Sequence, residues 1–188
     1  MAERSGAALE VEMRGIVPAD FGETLRIINC AAEAYRGVIP ADRWHDPYMS
    51  AEQLASEIAH GVAFSGCVVD SRLVGVMGVQ ERGKVDLIRH AYVLPDYQGS
   101  GIGSRLLGHL CGASDKPILI GTWQAAEWAI RFYERHGFVR VSKDDVGALL
   151  RTFWDVPARQ GETWVVLPSQ APSREAVGEL IGGSQRRN

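Results

Sequence analysis

The chain has 188 residues and a formal net charge of −3, with 46 % hydrophobic and 23 % charged residues. This length suits one compact domain, and the composition is that of an ordinary globular protein. The acidic balance argues against a surface that binds nucleic acid as a whole. No apolar run is long enough to cross a membrane, and residues 1–20 lack the apolar segment of a signal peptide. We therefore expect a cytoplasmic protein with neither a nucleic-acid nor a membrane partner.

The first half of the chain predicts a strand, two helices and then three strands joined by short polar turns. Such turns are typical of an antiparallel meander. Ser50 and Gln53 form a capping-box pattern at the start of the second helix. The predicted elements, in chain order, are a strand at Leu9–Val17, a helix from Pro18 to about Tyr35, a helix at Ala51–His60, and strands at Val62–Val69, Leu73–Gln80 and Val85–Leu94.

The second half predicts alternating helices and strands, so a βαβ-like half follows the antiparallel half. The predicted fold class is α/β (α+β), with a mixed, mostly antiparallel central sheet flanked by helices. Residues 1–168 form one domain in this interpretation, and residues 169–188 form a polar, mobile tail, with a docking helix at Arg174–Ile181 as the alternative. The predicted elements are helices at Gly101–Gly112 and Ala125–His136, and strands at Pro117–Thr122, Phe138–Ser142 and Thr163–Leu167.

Three cysteines are scattered through these elements. Cys30, Cys67 and Cys111 have apolar neighbours and no CxxC spacing. This pattern predicts small buried thiols in a reducing compartment rather than disulfides or metal ligands.

The turn between the predicted strand Val85–Leu94 and the helix after it has three alternating glycines. Glycines let the backbone approach an anion closely, and a helix start adds unpaired N–H groups and a positive dipole end. The segment therefore predicts a pyrophosphate site. Its residues are Gln98, Gly99, Ser100, Gly101, Ile102, Gly103 and Ser104.

Three other interpretations of this turn compete with a coenzyme pyrophosphate site. A dinucleotide site needs a glycine where Ser104 stands, and it needs a parallel βαβ unit rather than a meander. A P-loop needs a lysine after Gly103, and none is present. A glycine turn that serves only helix packing remains open.

The turn and a second motif together resemble the GNAT superfamily of N-acetyltransferases over about Leu9–Leu167. Gln98–Gly103 matches the pattern Gln/Arg-x-x-Gly-x-Gly/Ala, and Ala129–Phe138 resembles A-x-x-x-Y-E-x-x-G-F. The resemblance implies the GNAT fold, acetyl-CoA as cosubstrate and no metal. It also implies that Gln98–Ser104 binds the pyrophosphate of coenzyme A.

The resemblance further implies roles for one strand and one tyrosine. Ala91, Tyr92 and Val93 match the segment that contacts the acetyl group and pantetheine, on a strand that splays from its neighbour and often carries a β-bulge. Tyr133 matches the general acid that protonates the departing thiolate, which a phenol is able to do. The alternative is a tyrosine that only completes core packing. Ala126 stands where many members have asparagine, so Gln124 is considered as a substitute contact to pantetheine.

The base and the acceptor are less constrained. His90 is a candidate base, because the ordinary pKa of histidine lies near neutral pH. A lone histidine in a strand is, however, more often a hydrogen-bonded structural residue. Arg89 in an apolar strand predicts a substrate anion as its partner. The aromatic loop 36–49 predicts an acceptor wall formed by Trp44, His45 and Tyr48.

We therefore expect direct transfer of acetyl to a small-molecule primary amine in a ternary complex, and a homodimer is compatible with the sequence. The alternatives are a non-catalytic acetyl-CoA-binding module and a protein N-terminal or lysine acetyltransferase.

Overall fold

The computed structural model describes residues 10–154, 162–169 and 174–182. Six strands form one sheet in chain order, and every neighbouring pair is antiparallel except β4 and β5, which are parallel. The predicted mixed, mostly antiparallel sheet is therefore confirmed. The strands are β1 (Val11–Gly15), β2 (Val62–Val69), β3 (Arg72–Arg82), β4 (Val85–Val93), β5 (Ile118–Trp123) and β6 (Trp164–Pro168).

Six α-helices are found in the described residues. The predicted capping box of the second helix is confirmed, because Ser50 Oγ accepts from the Gln53 amide at 3.2 Å and Gln53 Oε1 accepts from the Ser50 amide at 2.8 Å. The helices are α1 (Phe21–Ala32), α2 (Ala51–Ala59), α3 (Ile102–Ala113), α4 (Glu127–Arg135), α5 (Lys143–Phe153) and α6 (Arg174–Gly182). Among the described residues, no helix is both long enough and apolar enough to span a membrane.

Two hydrophobic clusters lie on opposite faces of the sheet. Ile118 and Ile120 of β5 belong to the larger cluster, which also includes residues of α1, α2, α3 and α4. Leu119 points the other way and belongs to a second cluster with residues of α5 and α6. This division follows from the alternation of side chains along a strand, so β5 is covered on both faces.

The region after α4 differs from the prediction. Phe138–Ser142 was predicted as a strand, but it has no regular strand structure, and that prediction is wrong. The amides of Val139 and Val141 nevertheless donate to the carbonyls of Pro168 and Val166 at 3.1 and 3.0 Å. The chain pairs with β6 only at these points and then turns into α5. The sequence signal for α5 was the helical spacing of its buried residues Val146, Leu149, Leu150 and Phe153.

The predicted tail is also partly corrected. Residues 174–182 form α6, and Val177 is 4 % exposed because it packs in the second cluster. The docking-helix alternative therefore applies to this stretch, whereas residues 170–173 and 183–188 of the tail lie outside the described residues. The prediction of buried thiols is right for Cys67 and wrong for Cys30, which is exposed, while Cys111 is half-buried.

Candidate active site

A cleft opens where β4 and β5 separate. Within the described residues, the ladder between these strands joins Asp86–Ile88 to Ile118–Ile120 and ends there. The β5-facing backbone edge of residues 89–93 therefore lacks a strand partner in this part of the chain. The cleft beside this edge has a volume of about 690 Å³, within the range of small-molecule sites.

A β-bulge in β4 accompanies the separation. Val76 pairs with Tyr92 and Gly78 pairs with Arg89, so three steps along β4 match two along β3. The extra residue is His90, whose φ of 51° lies in the left-handed region. A Cβ atom on Gly78 would lie 3.0 Å from the Arg89 carbonyl oxygen, so the partner strand needs glycine opposite the bulge.

The glycine turn lies at one end of the cleft. Gly99 and Gly101 have φ values of 76° and 84°, which a side chain would strain, and α3 begins directly after them. The first N–H groups of α3 have no acceptor within the helix and are available to an anion. The cleft is lined by Gln98, Gly99, Gly101, Gly103 and Ser104, together with Ala91, Tyr92 and Val93.

The side chains of three residues in the predicted phosphate site make contacts within the protein. Gln98 Nε2 donates to the Val93 carbonyl at 3.0 Å and ties the turn to the end of β4. Ser100 Oγ donates to the Tyr97 carbonyl at 2.5 Å. Ile102 is 5 % exposed and packs in the core. Contacts of Ser100 and Ile102 with a phosphate would therefore come from their backbone N–H groups.

Tyr133 lies at the opposite end of the cleft on α4. Its side chain is 6 % exposed, and its ring packs edge-on against Phe132 and Phe138, with ring centroids 5.1 and 6.0 Å away. Burial raises the pKa of Tyr133 above its ordinary value of 10.0, and the neighbouring Tyr35 adds to the shift. The hydroxyl group therefore stays protonated through the neutral pH range, as a proton donor requires.

A second cavity of about 200 Å³ adjoins the cleft. Both spaces are lined by Tyr35, Ala91, Tyr92 and Tyr133, so these four residues form the junction between them. The cavity is lined in addition by Arg89, His90 and Tyr48, and by the indole rings of Trp123, Trp154 and Trp164. The predicted acid and the predicted base thus face one small, mostly aromatic space.

The aromatic wall of this cavity is built by residues distant in sequence. The ring of Tyr35 stacks on that of Tyr48 at 6.2 Å, and each meets the ring of Tyr92 edge-on, at 6.5 and 6.4 Å. Burial, with Tyr48 nearby, raises the pKa of Tyr35 to about 12. Burial likewise raises the pKa of Tyr92, so Tyr35 and Tyr92 are neutral at physiological pH.

The predicted acceptor wall in loop 36–49 is only partly brought together. Tyr48 lines the cavity. Trp44 packs on Tyr48 with a centroid distance of 5.5 Å and lies beneath the guanidinium of Arg36 at 4.6 Å. His45 is exposed. Among the described residues of this loop, Tyr48 therefore contacts the cavity directly, and Trp44 supports it from behind.

The partner predicted for Arg89 is already supplied by the protein. Arg89 Nη2 donates to both carboxylate oxygens of Glu57 at 3.0 and 2.9 Å, and Nη1 donates to Gln80 Oε1 at 2.7 Å. The reasoning that led from Arg89 to a substrate anion is therefore wrong, because the arginine needs no external carboxylate. These residues and His90 line a third, polar cavity of about 510 Å³ on the α2 side.

The residue at the position of the family asparagine has a packing role. Ala126 is fully buried beside Ile39 and Trp123, at the start of α4. Gln124 is exposed and is not among the described residues that line the cleft, so its suggested contact with pantetheine stays a prediction.

Sequence reasoning missed Tyr35, Glu57 and Trp164 as residues of the site. In the sequence, Tyr35 stands out only as the end of an apolar helix face, and neither Glu57 nor Trp164 belongs to a motif. A signal was available for Glu57, because a polar pair such as Arg89 and His90 in a half-buried strand requires a nearby partner.

Comparison with known proteins agrees with this geometry. Residues 61–140 match the family model of the acetyltransferase (GNAT) domain. No curated protein matches the chain at a significant level. The chain is similar in fold to PaiA N-acetyltransferase from Thermoplasma acidophilum in complex with coenzyme A, at 18 % identity and a TM-score of 0.66, with 86 % of this chain and 99 % of that one covered.

Two further solved structures show the same fold. One is an acetyltransferase of the GNAT family from Staphylococcus aureus, at 16 % identity and a TM-score of 0.64 over 86 % of this chain and all of the other. The other is the ribosomal-protein-S18-alanine N-acetyltransferase from Escherichia coli, at 17 % identity and 0.59 over 88 % of this chain and 97 % of the other. Residues 61–140 therefore resemble the acetyltransferase (GNAT) domain, and the solved structures show that the chain shares the fold of these acetyltransferases.

Proposed function

We propose that the protein transfers the acetyl group of acetyl-CoA to a primary amine of a small molecule, by direct attack in a ternary complex. The observation that carries this proposal is the junction of two spaces at Tyr35, Ala91, Tyr92 and Tyr133. The cleft on one side ends at an anion-binding turn and suits the long coenzyme. The cavity on the other side is small and aromatic and suits the body of an amine.

The coenzyme is held by backbone groups in this proposal. The N–H groups at the start of α3 bind the pyrophosphate, and the helix dipole adds to the attraction. Pantetheine lies along the unpaired edge of Ala91–Val93 as an added strand. An amide of this edge polarises the thioester carbonyl, as in an oxyanion hole.

The chemistry needs one proton acceptor and one proton donor. The nitrogen of the neutral amine attacks the carbonyl carbon, a C–N bond forms and the C–S bond breaks. His90 accepts the N–H proton, and Tyr133 donates a proton to the sulfur, so the products are the acetylated amine and coenzyme A. Proton exchange with solvent then restores both side chains. Desolvation raises the basicity of the departing thiolate as well as that of the phenolate, so the two remain matched.

We call the second cavity, which is lined by Arg89, His90 and Tyr48 among others, the acceptor cavity. Its size supports a small amine as the acceptor. Its volume of about 200 Å³ and its tyrosine and tryptophan walls favour an apolar or aromatic body next to the amino group. Because Arg89 is paired with Glu57, it does not call for a carboxylate on the acceptor.

An amine-panel assay tests the proposal. Purified protein is incubated with acetyl-CoA and single amines, and the released thiol is measured; calorimetry with coenzyme A is run in parallel. We expect turnover with compact amines that carry no charged group besides the amino group, and weaker turnover with peptides. Coenzyme binding without turnover on any amine or peptide would instead indicate a non-catalytic binding module, and turnover on peptides alone would indicate a protein acetyltransferase.

A further inference from the structure

We propose that Glu57 is a positioning residue that selects the tautomer of His90, with the proton on Nε2, so that Nδ1 is the atom that accepts the proton of the amine. This inference rests on the proposed function, because it assigns a role within the same site. It concerns a residue of α2 that no motif in the sequence indicates.

The bulge in β4 places two consecutive side chains on the same carboxylate. Neighbours in a regular strand point to opposite faces, yet both Arg89 and His90 reach Glu57. The positive φ of His90 and the register shift beside it explain this arrangement. A left-handed conformation is strained for a residue other than glycine, and such strain is typical of functional sites.

The environment of the imidazole distinguishes its two nitrogens. His90 Nε2 lies 3.4 Å from Glu57 Oε2, is sealed from solvent, and has no partner of full hydrogen-bond geometry among the described residues. A buried nitrogen left unpaired is unfavourable, and a proton on Nε2 that points to the carboxylate removes this penalty. Nδ1 then carries the lone pair, while the ring lies between the acceptor cavity and the polar cavity.

Glu57 is itself held in one orientation. Arg89 binds both of its oxygens, Gln80 binds Arg89, and Gln80 Nε2 donates to the His60 carbonyl at 2.9 Å. Desolvation raises the pKa of Glu57, but His90 and Arg89 outweigh it and hold the pKa below its ordinary value. The carboxylate is therefore charged at neutral pH and oriented toward the ring, which also stabilises the imidazolium that forms during the reaction.

Glu57→Gln separates this role from a structural one. In this variant Arg89 pairs with the amide oxygen of glutamine, so the NH2 group faces His90 and donates to Nε2. That contact favours the tautomer with the proton on Nδ1, so the base is blocked although the side chain keeps its shape. We expect kcat to fall by about 10²-fold or more, while KM for acetyl-CoA changes by less than about twofold. Glu57→Asp should recover part of the rate. Glu52→Gln, on the exposed first turn of the same helix, is the matched control and should behave as wild type.

The tautomer is read directly by ¹⁵N NMR of the ring nitrogens at about pH 8.5, where a free imidazole is neutral. The His90 signals are assigned by their loss in His90→Gln. Protonated Nε2 in the wild type and protonated Nδ1 in Glu57→Gln are expected. Protonated Nδ1 in the wild type, or wild-type kcat in Glu57→Gln, would overturn the inference. Absence of turnover by the wild type on every amine would overturn the proposed function and with it the role of Glu57.

Discussion

Replacing Tyr133 by phenylalanine removes one oxygen atom from the junction of the cleft and the acceptor cavity. The ring contacts with Phe132 and Phe138 remain, so the fold and the coenzyme site should be retained. A general acid contributes about 10²–10⁴-fold to a rate, which is about 2.7–5.4 kcal/mol of activation free energy. Because Tyr133 is only 6 % exposed, water is poorly placed to replace the lost donor. We therefore expect kcat to fall by about 10³-fold or more.

The assay combines thiol release at saturating acetyl-CoA with calorimetric titration of coenzyme A. Tyr97→Phe is the matched control, because Tyr97 lines the cleft but not the acceptor cavity. The variant Tyr133→Phe should bind coenzyme A as the wild type does and fail in turnover, whereas Tyr97→Phe should retain turnover. Wild-type kcat in Tyr133→Phe would remove the hydroxyl group from the mechanism.

The pH profile provides an independent test of the same residue. The active form is the neutral phenol, and burial disfavours its ionisation, so the raised pKa extends activity to higher pH. No loss of kcat attributable to Tyr133 should occur up to about pH 10. A descending limb centred below that value, present in the wild type and absent from the residual activity of Tyr133→Phe, would refute the reasoning.

Three further predictions concern the glycine turn, α6 and the Glu57 carboxylate. Gly103→Val places a side chain in the cleft beside the loop amides and should weaken coenzyme A binding by at least about tenfold in calorimetry. The control Gly108→Ala, on the exposed side of α3, should bind coenzyme A as the wild type does. Equal affinities of the two variants would contradict the phosphate site. Val177→Ala should lower the free energy of unfolding by about 1.6 kcal/mol or more in urea, while Gly178→Ala, exposed in the same helix, should raise it by up to about 1 kcal/mol. No change in the first variant would mean that α6 does not dock. The pKa of Glu57 is lowered in the folded state, so its stabilisation is present above the ordinary carboxyl pKa and is lost as pH falls through the folded value. Between about pH 5 and pH 3, the wild type should lose unfolding free energy more steeply than Glu57→Gln, and parallel curves would contradict the ion pair.

The elements that the sequence predicted well are those governed by local interactions. The strand Val62–Val69 has the predicted bounds, and the capping box at Ser50 begins α2 as expected. The glycines predicted a tight turn before α3, since only glycine readily adopts the positive φ found at Gly99 and Gly101. The same local reasoning failed at Phe138–Ser142, where a short apolar run pairs at two points with β6 and then gives way to α5.

The pairing of Arg89 on β4 with Glu57 on α2 was decided by the tertiary structure alone. The carboxylate partner of Arg89 comes from a residue 32 positions earlier in the chain, and no local pattern links the two. Charges in a dry environment are paired wherever packing brings an opposite charge within reach. The sequence therefore showed that Arg89 needed a partner, but packing of α2 on the sheet determined that the partner is Glu57 rather than a substrate.

The junction of cleft and cavity likewise depends on long-range packing. The sequence by itself determined the strands of the meander, the glycine turn before α3 and the tyrosine on α4, because each rests on short spacings and backbone preferences. Where β4 leaves β5, how the bulge turns His90, and how Tyr35 and Tyr48 meet Tyr92 depend on contacts between segments far apart in the chain. Such contacts form only when the whole sheet assembles, which is why the acceptor cavity was visible only in the folded protein.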